Sequence, residues 1–554
     1  MGVFSDRSPG RLGLIMANGI AVCVLAWLVW DDGGDVAAGS GRPAPEGTPQ
    51  IETQPAGPAP GLRPPNEALE TSIGPISIPI VDAPAALQGP VETAIANAVA
   101  NAAKRSKNKV SAASATVAVC VLDGETGQEL VAIQADRPLR PASNLKILTT
   151  AAALVLLGPE ASYETPIERR GTISEGVLNG DLIARAGGDP LFEQDGDGSL
   201  DTWLDSLAAE LSHAGIRRVR GRLVLDEGTF DDPAPGPAWP SSREYWRDYC
   251  ALAGGFSANA GCLTANVSAT RSGSLAEVAV RPRHHGLKRR GEVRTAASKA
   301  PLTVAVGATT SAVTVRGEIP SSVKHWSARF AAPDPVALFG TAMVGGLADR
   351  GIEIEGGFVR ERKAPGGMVV ASLHSPVAAS VVPILTHSDN AVADQLFLTL
   401  GLRVAGAGTR AGGAMAVGRA LDQLGLERGG WMQVGGSGLS RDNRVSARQL
   451  CGLLRAARGV SSVARELFDQ GMPVAGETGT LSTRMRKSVA RGRVHAKTGF
   501  INGTSALSGW LMTESGRELI FSILVAYPTF DGLNTHCWKP MQDSICEGLV
   551  DDVE

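Results

Sequence analysis

Short apolar runs bounded by glycine-rich turns mark the two ends of the folded part of this chain, and helical patterns fill much of the middle. The run Thr116-Val117-Ala118-Val119-Cys120-Val121-Leu122 reads as a strand. Residues 128–134 form its hairpin partner across Gly124-Glu125-Thr126-Gly127. An alanine-rich helix precedes it at 91–103, and a second helix opens at Ser143 and stops near Gly158-Pro159. Further on, Ile183-Ala184-Arg185-Ala186-Gly187-Gly188-Asp189-Pro190 ends a strand in a turn. A helix at 202–214 leads to a strand at 221–226. Residues 274–317 alternate short strands, and an amphipathic helix at 334–350 precedes a strand at 352–354. Helices follow at 377–385, at 391–400 before Gly401, at 412–424 and at 447–458. The end is a meander: 493–500, the hairpin turn Asn502-Gly503, 504–512, then 518–527, with a last helix reaching about Val550. Together with the two early strands this predicts an antiparallel sheet of about five strands, built from both ends of the chain.

A length of 554 residues exceeds what one hydrophobic core serves, so two or three domains are expected. Charge is nearly balanced, 53 Lys and Arg against 56 Asp and Glu, which gives no support to a nucleic-acid partner. The cluster Lys288-Arg289-Arg290 reads as a solvated face. Residues 12–30 carry no charge, follow Arg7 and Arg11, and precede Asp31, Asp32 and Asp35. That pattern predicts an uncleaved membrane anchor with its basic side cytoplasmic; a cleaved signal ending at Val36-Ala37-Ala38 is the rival. Residues 31–88, with runs such as Gly41-Arg42-Pro43-Ala44-Pro45, read as an extended linker. Export permits disulfides. Among seven cysteines, Cys250 and Cys262 flank a segment that can close, whereas Cys537 and Cys546 lie roughly 13 Å apart along one helix.

Chemistry concentrates in three places. Ser143 and Lys146 stand three apart at a helix start, hence on one face, a nucleophile beside the only nearby base. Ser388-Asp389-Asn390 and Lys497-Thr498-Gly499 follow in the order used by penicillin-recognising serine enzymes. A metal has little support: eight histidines are scattered without a His-Glu-x-x-His, His284-His285 reads as surface, and His387 as loop packing.

With Arg137-Pro138-Leu139-Arg140-Pro141-Ala142-Ser143, Gly187-Gly188-Asp189-Pro190-Leu191, Gly436-Ser437-Gly438-Leu439-Ser440-Arg441 and Gly476-Glu477-Thr478-Gly479-Thr480-Leu481, the chain resembles the D-alanyl-D-alanine carboxypeptidase/endopeptidase family, the three-domain class C penicillin-binding proteins. The resemblance runs from about Val91 to Tyr527. It implies an α+β fold: a transpeptidase/β-lactamase-like catalytic domain at 89–162 and 373–554, carrying an inserted domain at 163–273 and 319–372 and a small β-rich one at 274–318. It implies peptidoglycan stem peptides and β-lactams as partners, no cofactor, and a place in the cell envelope with the catalytic part outside.

In the implied mechanism Ser143 attacks the penultimate D-alanine carbonyl and Lys146 takes its proton. Lys497 keeps Lys146 neutral and attracts the substrate carboxylate, Ser388 relays a proton to the leaving amine, and Asn390 positions substrate and Lys146. Thr498, Gly499 and Phe500 line the substrate site, with the N–H groups of Ser143 and Phe500 as oxyanion hole. Three positions depart from the family pattern. Phe500 replaces a usual Thr or Ser and loses a hydroxyl for the carboxylate, Gly436 replaces an Asp, and Asp394 a Glu. A β-lactamase or esterase on the same motifs, or an envelope scaffold without turnover, are the alternatives.

Overall fold

The computed structural model of the protein describes residues 85–192 and 199–551. The predicted anchor at 12–30 and all but the last residues of the linker lie outside the described residues. No helix among the described residues is long and apolar enough to cross a membrane.

The five-stranded sheet is present, in the order Val494–Ile501, Thr504–Met512, Glu518–Ala526, Thr116–Asp123, Glu129–Ile133, antiparallel throughout. Strand side chains alternate between faces, and both faces are covered. Ala118, Cys120, Leu122, Ile520 and Leu524 pack under helices Leu145–Leu156, Asn390–Ala405 and Ala447–Gly459. Val117, Val119, Val121, Phe521 and Ile523 pack under helices Ala85–Arg105 and Lys539–Val550. A strand buried on both faces reads as an unbroken apolar run, as Thr116–Asp123 does.

The segment between these halves builds a seven-stranded mixed sheet around Val177–Arg185 and Ser162–Ser174, covered by helices Ser199–His213 and Pro335–Ala348. Two smaller sheets share one apolar cluster that includes Leu263, Val267, Val313, Val315 and Phe330. Helix Pro335–Ala348, expected to be amphipathic, is apolar and buried on nearly every side. Gly340 and Gly346 let it press against Phe358 and Leu204, where an added Cβ would stand 2.6 and 2.3 Å from those side chains.

Several expectations are corrected. The first helix starts at Ala85, so Pro90 lies inside it and the linker ends earlier than residue 88. The helix after Asp389 does not stop at Gly401 but runs to Ala405 and ends on Gly406 at φ 75°. Gly401 serves close packing instead, since a Cβ there would be 2.7 Å from the Gly413 nitrogen. Strands Ser162–Ser174 and Met368–Pro376 and helix Ser462–Gly471 are further elements that the sequence reading did not place. His387 is exposed rather than packed. Cys250 and Cys262 are buried thiols that no disulfide joins. The Cys262 Sγ is directed instead to the Asp248 carbonyl at 3.9 Å.

Candidate active site

Ser143 occupies a short 3-10 turn, Ala142–Asn144, that leads into helix Leu145–Leu156. The turn is held rigidly. Ala142 is fully buried at φ 47°, a conformation that costs an L-residue about 1–2 kcal/mol. Asn144, also fully buried, donates from Nδ2 to Ser508 Oγ at 2.6 Å, fixing the turn to the sheet. Two glycines let neighbours close in. A Cβ at Gly438 would stand 1.9 Å from the Ala142 carbonyl oxygen, and one at Gly499 2.8 Å from that of Pro141. The glycine of Lys-Thr-Gly is thus required by the approach of the edge strand to the serine turn.

One helical turn on, Lys146 is fully buried. Its Nζ donates to Asn390 Oδ1 at 2.6 Å and to the Ser437 carbonyl at 2.7 Å, and lies 3.2 Å from Ser143 Oγ. A neutral amine has two N–H bonds and one lone pair. Two of its partners are acceptors only, so they take the two N–H bonds, and the lone pair is left for the Ser143 hydroxyl. Burial lowers the Lys146 pKa to about 8, against the opposing pull of Asp394 and Asp389.

The Ser388-Asp389-Asn390 loop enters through a strained residue, Ser388 at φ 61°. Asp389 caps helix Asn390–Ala405 by accepting from the Val392 N–H at 3.0 Å, and pairs with Arg329 at 2.6 Å. Asn390 is spent at both ends: Oδ1 on Lys146, Nδ2 on the Tyr249 carbonyl at 2.8 Å. Ser388 Oγ makes no hydrogen bond among the described residues.

Lys497 is fully buried, and its Nζ donates to the Thr498 carbonyl at 3.2 Å. Burial pushes its ammonium well below the usual lysine range, and the charge of Lys146 adds to this. Burial, rather than the charge of Lys497, is the main source of the lowered Lys146 pKa. Thr498 and Phe500, two apart, share the other face of the strand. Phe500 is 51% exposed, and Thr498 Oγ1 donates to Thr480 Oγ1 at 2.8 Å.

Sequence reasoning named Asp394 and the motif holding Ser437 without giving either a role, and it missed Tyr249 and Arg329. Asp394, half-buried, accepts the N–H of Gly436 at 2.6 Å and of Ser437 at 2.9 Å, and so places the Ser437 carbonyl on Lys146. Burial raises its carboxyl pKa above the usual value. Gly436 has no room for the aspartate that the family pattern places there, since a Cβ would stand 2.1 Å from the Ala393 carbonyl oxygen. Ser437, Tyr249 and Arg329 act through carbonyls or an ion pair, which leave no spacing signature.

Residues 99–538 match the model of the D-Ala-D-Ala carboxypeptidase 3 (S13) family. A D-alanyl-D-alanine carboxypeptidase of Actinomadura sp. (strain R39) is 31% identical over 437 residues, 73% of this chain and 77% of the relative. The D-alanyl-D-alanine carboxypeptidase DacB of Haemophilus influenzae is 28% identical over 404 residues, 70% of this chain and 81% of the relative. Among solved structures, penicillin binding protein 4 (dacB) from Haemophilus influenzae superimposes with a TM-score of 0.66 at 24% identity, covering 79% of this chain and 96% of that one. The same protein complexed with a β-lactam gives 0.60 at 25% identity, with 78% of this chain and 95% of that one covered. The serine turn, the buried lysine and the strand closing on them are those of a chain that belongs to the D-Ala-D-Ala carboxypeptidase 3 (S13) family.

Proposed function

We propose that this protein is a serine-type D-alanyl-D-alanine carboxypeptidase acting on peptidoglycan stem peptides through an acyl-enzyme on Ser143. The observation that carries the reading is the pair of acceptors on Lys146, Asn390 Oδ1 and the Ser437 carbonyl, which turns its lone pair toward Ser143. Ser143 Oγ attacks the carbonyl carbon of the penultimate D-alanine while its proton passes to Lys146 Nζ. The N–H groups of Ser143 and Phe500 receive the oxyanion. The C–N bond then breaks, a proton reaches the departing D-alanine amine by way of Ser388, and water hydrolyses the ester. Lys497 and Thr498 hold the terminal carboxylate, and Gly499 admits the substrate beside the strand edge.

Labelling with a fluorescent penicillin tests the nucleophile. Ser143→Ala, still folded, is expected to lose all covalent label; label retained at another residue would overturn the assignment. Release of free D-alanine from a D-Ala-D-Ala peptide separates this reading from a β-lactamase or esterase.

The division of the chain into a catalytic domain at 89–162 and 373–554 with two insertions belongs to the same proposal. So does a position in the cell envelope. It is supported by the uncharged run at 12–30 with its basic flank, which would hold the enzyme to the cytoplasmic membrane with the catalytic part on the outer side. N-terminal sequencing of the membrane fraction tests it: a start near Gly39 would show a cleaved signal instead.

A further inference from the structure

Phe500 creates a deficit that the structure offsets in part elsewhere. Residues 498 and 500 share one face of the Val494–Ile501 strand. A hydroxyl at 500 would therefore stand beside that of Thr498, where the terminal carboxylate is read in the proposal above. Phe500 offers none. A second hydroxyl nevertheless lies beside Thr498: Thr480, from the short turn Gly479–Leu481, with its Oγ1 2.8 Å from Thr498 Oγ1. Thr480 is exposed and Thr498 half-buried, so both are open to a ligand at the strand's outer edge. The turn itself is well held. The Thr478 hydroxyl accepts the Val474 N–H at 2.9 Å, and Leu481 is fully buried.

We propose that Thr480 is a positioning residue for carboxylate recognition, strengthening Thr498 as a donor and so offsetting in part the hydroxyl that residue 500 lacks. The inference rests on the carboxypeptidase reading of this site. Each hydroxyl has one proton and two lone pairs. Without substrate, Thr498 gives its proton to Thr480. When a carboxylate arrives, the Thr498 proton turns to the anion and the Thr480 proton takes its place on the Thr498 oxygen. Both dipoles then point the same way, toward the negative charge, and each bond polarises the next. No bond to hydrogen is broken; two hydroxyls rotate. A hydroxyl whose lone pair accepts a bond is a better donor, and hydrogen bonds to a charged acceptor are the strong ones.

The experiment compares Thr480→Val, which keeps shape and loses the hydroxyl, with Thr480→Ser, which keeps the hydroxyl. The substrates are a D-Ala-D-Ala peptide with a free C-terminus and the same peptide amidated. On the free acid Thr480→Val is expected to raise KM about fivefold, the range of one lost neutral hydrogen bond, since Thr480 does not itself touch the carboxylate, with kcat within about twofold. Thr480→Ser restores the KM, and on the amide the three proteins are alike. In a Phe500→Thr background the Thr480→Val effect shrinks, because the missing hydroxyl has been returned. An unchanged KM on the free acid, or an equal rise on the amide, would overturn the role of Thr480 alone. If the unsubstituted protein neither releases D-alanine nor takes penicillin on Ser143, the carboxypeptidase reading falls, and the role of Thr480 falls with it.

Discussion

Lys146 Nζ lies 2.7 Å from the carbonyl oxygen of Ser437, so the proposed base is held by a loop outside the three motifs. A backbone carbonyl accepts a hydrogen bond but cannot give one. It therefore orients the amine without offering it a proton, and leaves the protonation state to burial and to the nearby carboxylates.

That protonation state sets the pH dependence. Lys146 is competent to receive the Ser143 proton only when neutral, and its pKa is lowered to about 8. Acylation by penicillin should therefore rise with pH and level off above that value. Between about pH 6 and about pH 8 the rate constant is expected to grow roughly fiftyfold, as the neutral fraction does. A stopped-flow or gel-based acylation profile checks it; a flat profile would remove Lys146 as the base.

Asp394 bears on the same midpoint with the opposite sign. Its charge stabilises the Lys146 ammonium, while one oxygen accepts from Gly436 and Ser437. Asp394→Asn retains an acceptor oxygen and removes the charge. The midpoint of the acylation profile should move to lower pH. A midpoint that stays in place or rises would mean that the carboxyl is already neutral, a state that its burial favours.

Phe500→Thr should raise kcat/KM on linear D-Ala-D-Ala peptides by about one order of magnitude, through one charge-assisted hydrogen bond to the terminal carboxylate. Acylation of Ser143 should persist in both proteins, since the N–H of residue 500 is common to them. A drop in activity with Thr would make the exposed ring part of the substrate site.

Asp189 carries a stability prediction. It is almost fully buried, accepts the Leu191 N–H at 2.8 Å, and has its pKa raised by burial to about 6. The folded protein thus holds this proton more tightly than the unfolded chain, whose value is near 3.8. The group's contribution is most favourable below the unfolded value and is lost as pH rises through the folded one, a difference of about 3 kcal/mol. Asp189→Asn removes that dependence. Relative to the parent, its urea midpoint should be higher at about pH 7 than at about pH 4. An equal difference at both pH values would show that Asp189 does not titrate in this range.

The catalytic half of the fold was legible because its signals are local. Thr116–Asp123 announced itself as an apolar run, Asn502-Gly503 as a hairpin turn, and Ser143 with Lys146 by helical spacing. What escaped is carried by contacts between residues far apart in the chain. Gly401 looked like a helix stop, yet it packs on Gly413. The Tyr249 carbonyl reaches Asn390 across 141 positions. Cys250 and Cys262 had a plausible spacing, but Cys262 turns to the Asp248 carbonyl. Helix Ser462–Gly471 carries an inward stripe at Ala464, Leu467, Phe468 and Gly471 and a cap at Ser461, a local signal that the sequence reading passed over.

A sheet closed from the two ends of a chain also has a schedule. Thr116–Asp123 cannot be flanked on both sides until Glu518–Ala526 has been made, and the strand carrying Lys497 closes against Ser143 only at that stage. The intervening sheets draw their partners from nearer in sequence, so they are free to form while the catalytic half waits. On the proposed mechanism, Ser143 would therefore stay unarmed for nearly the whole of synthesis. A chain cut short anywhere before the last hairpin would carry Ser143 and Lys146 and still have no lysine-bearing wall to work against.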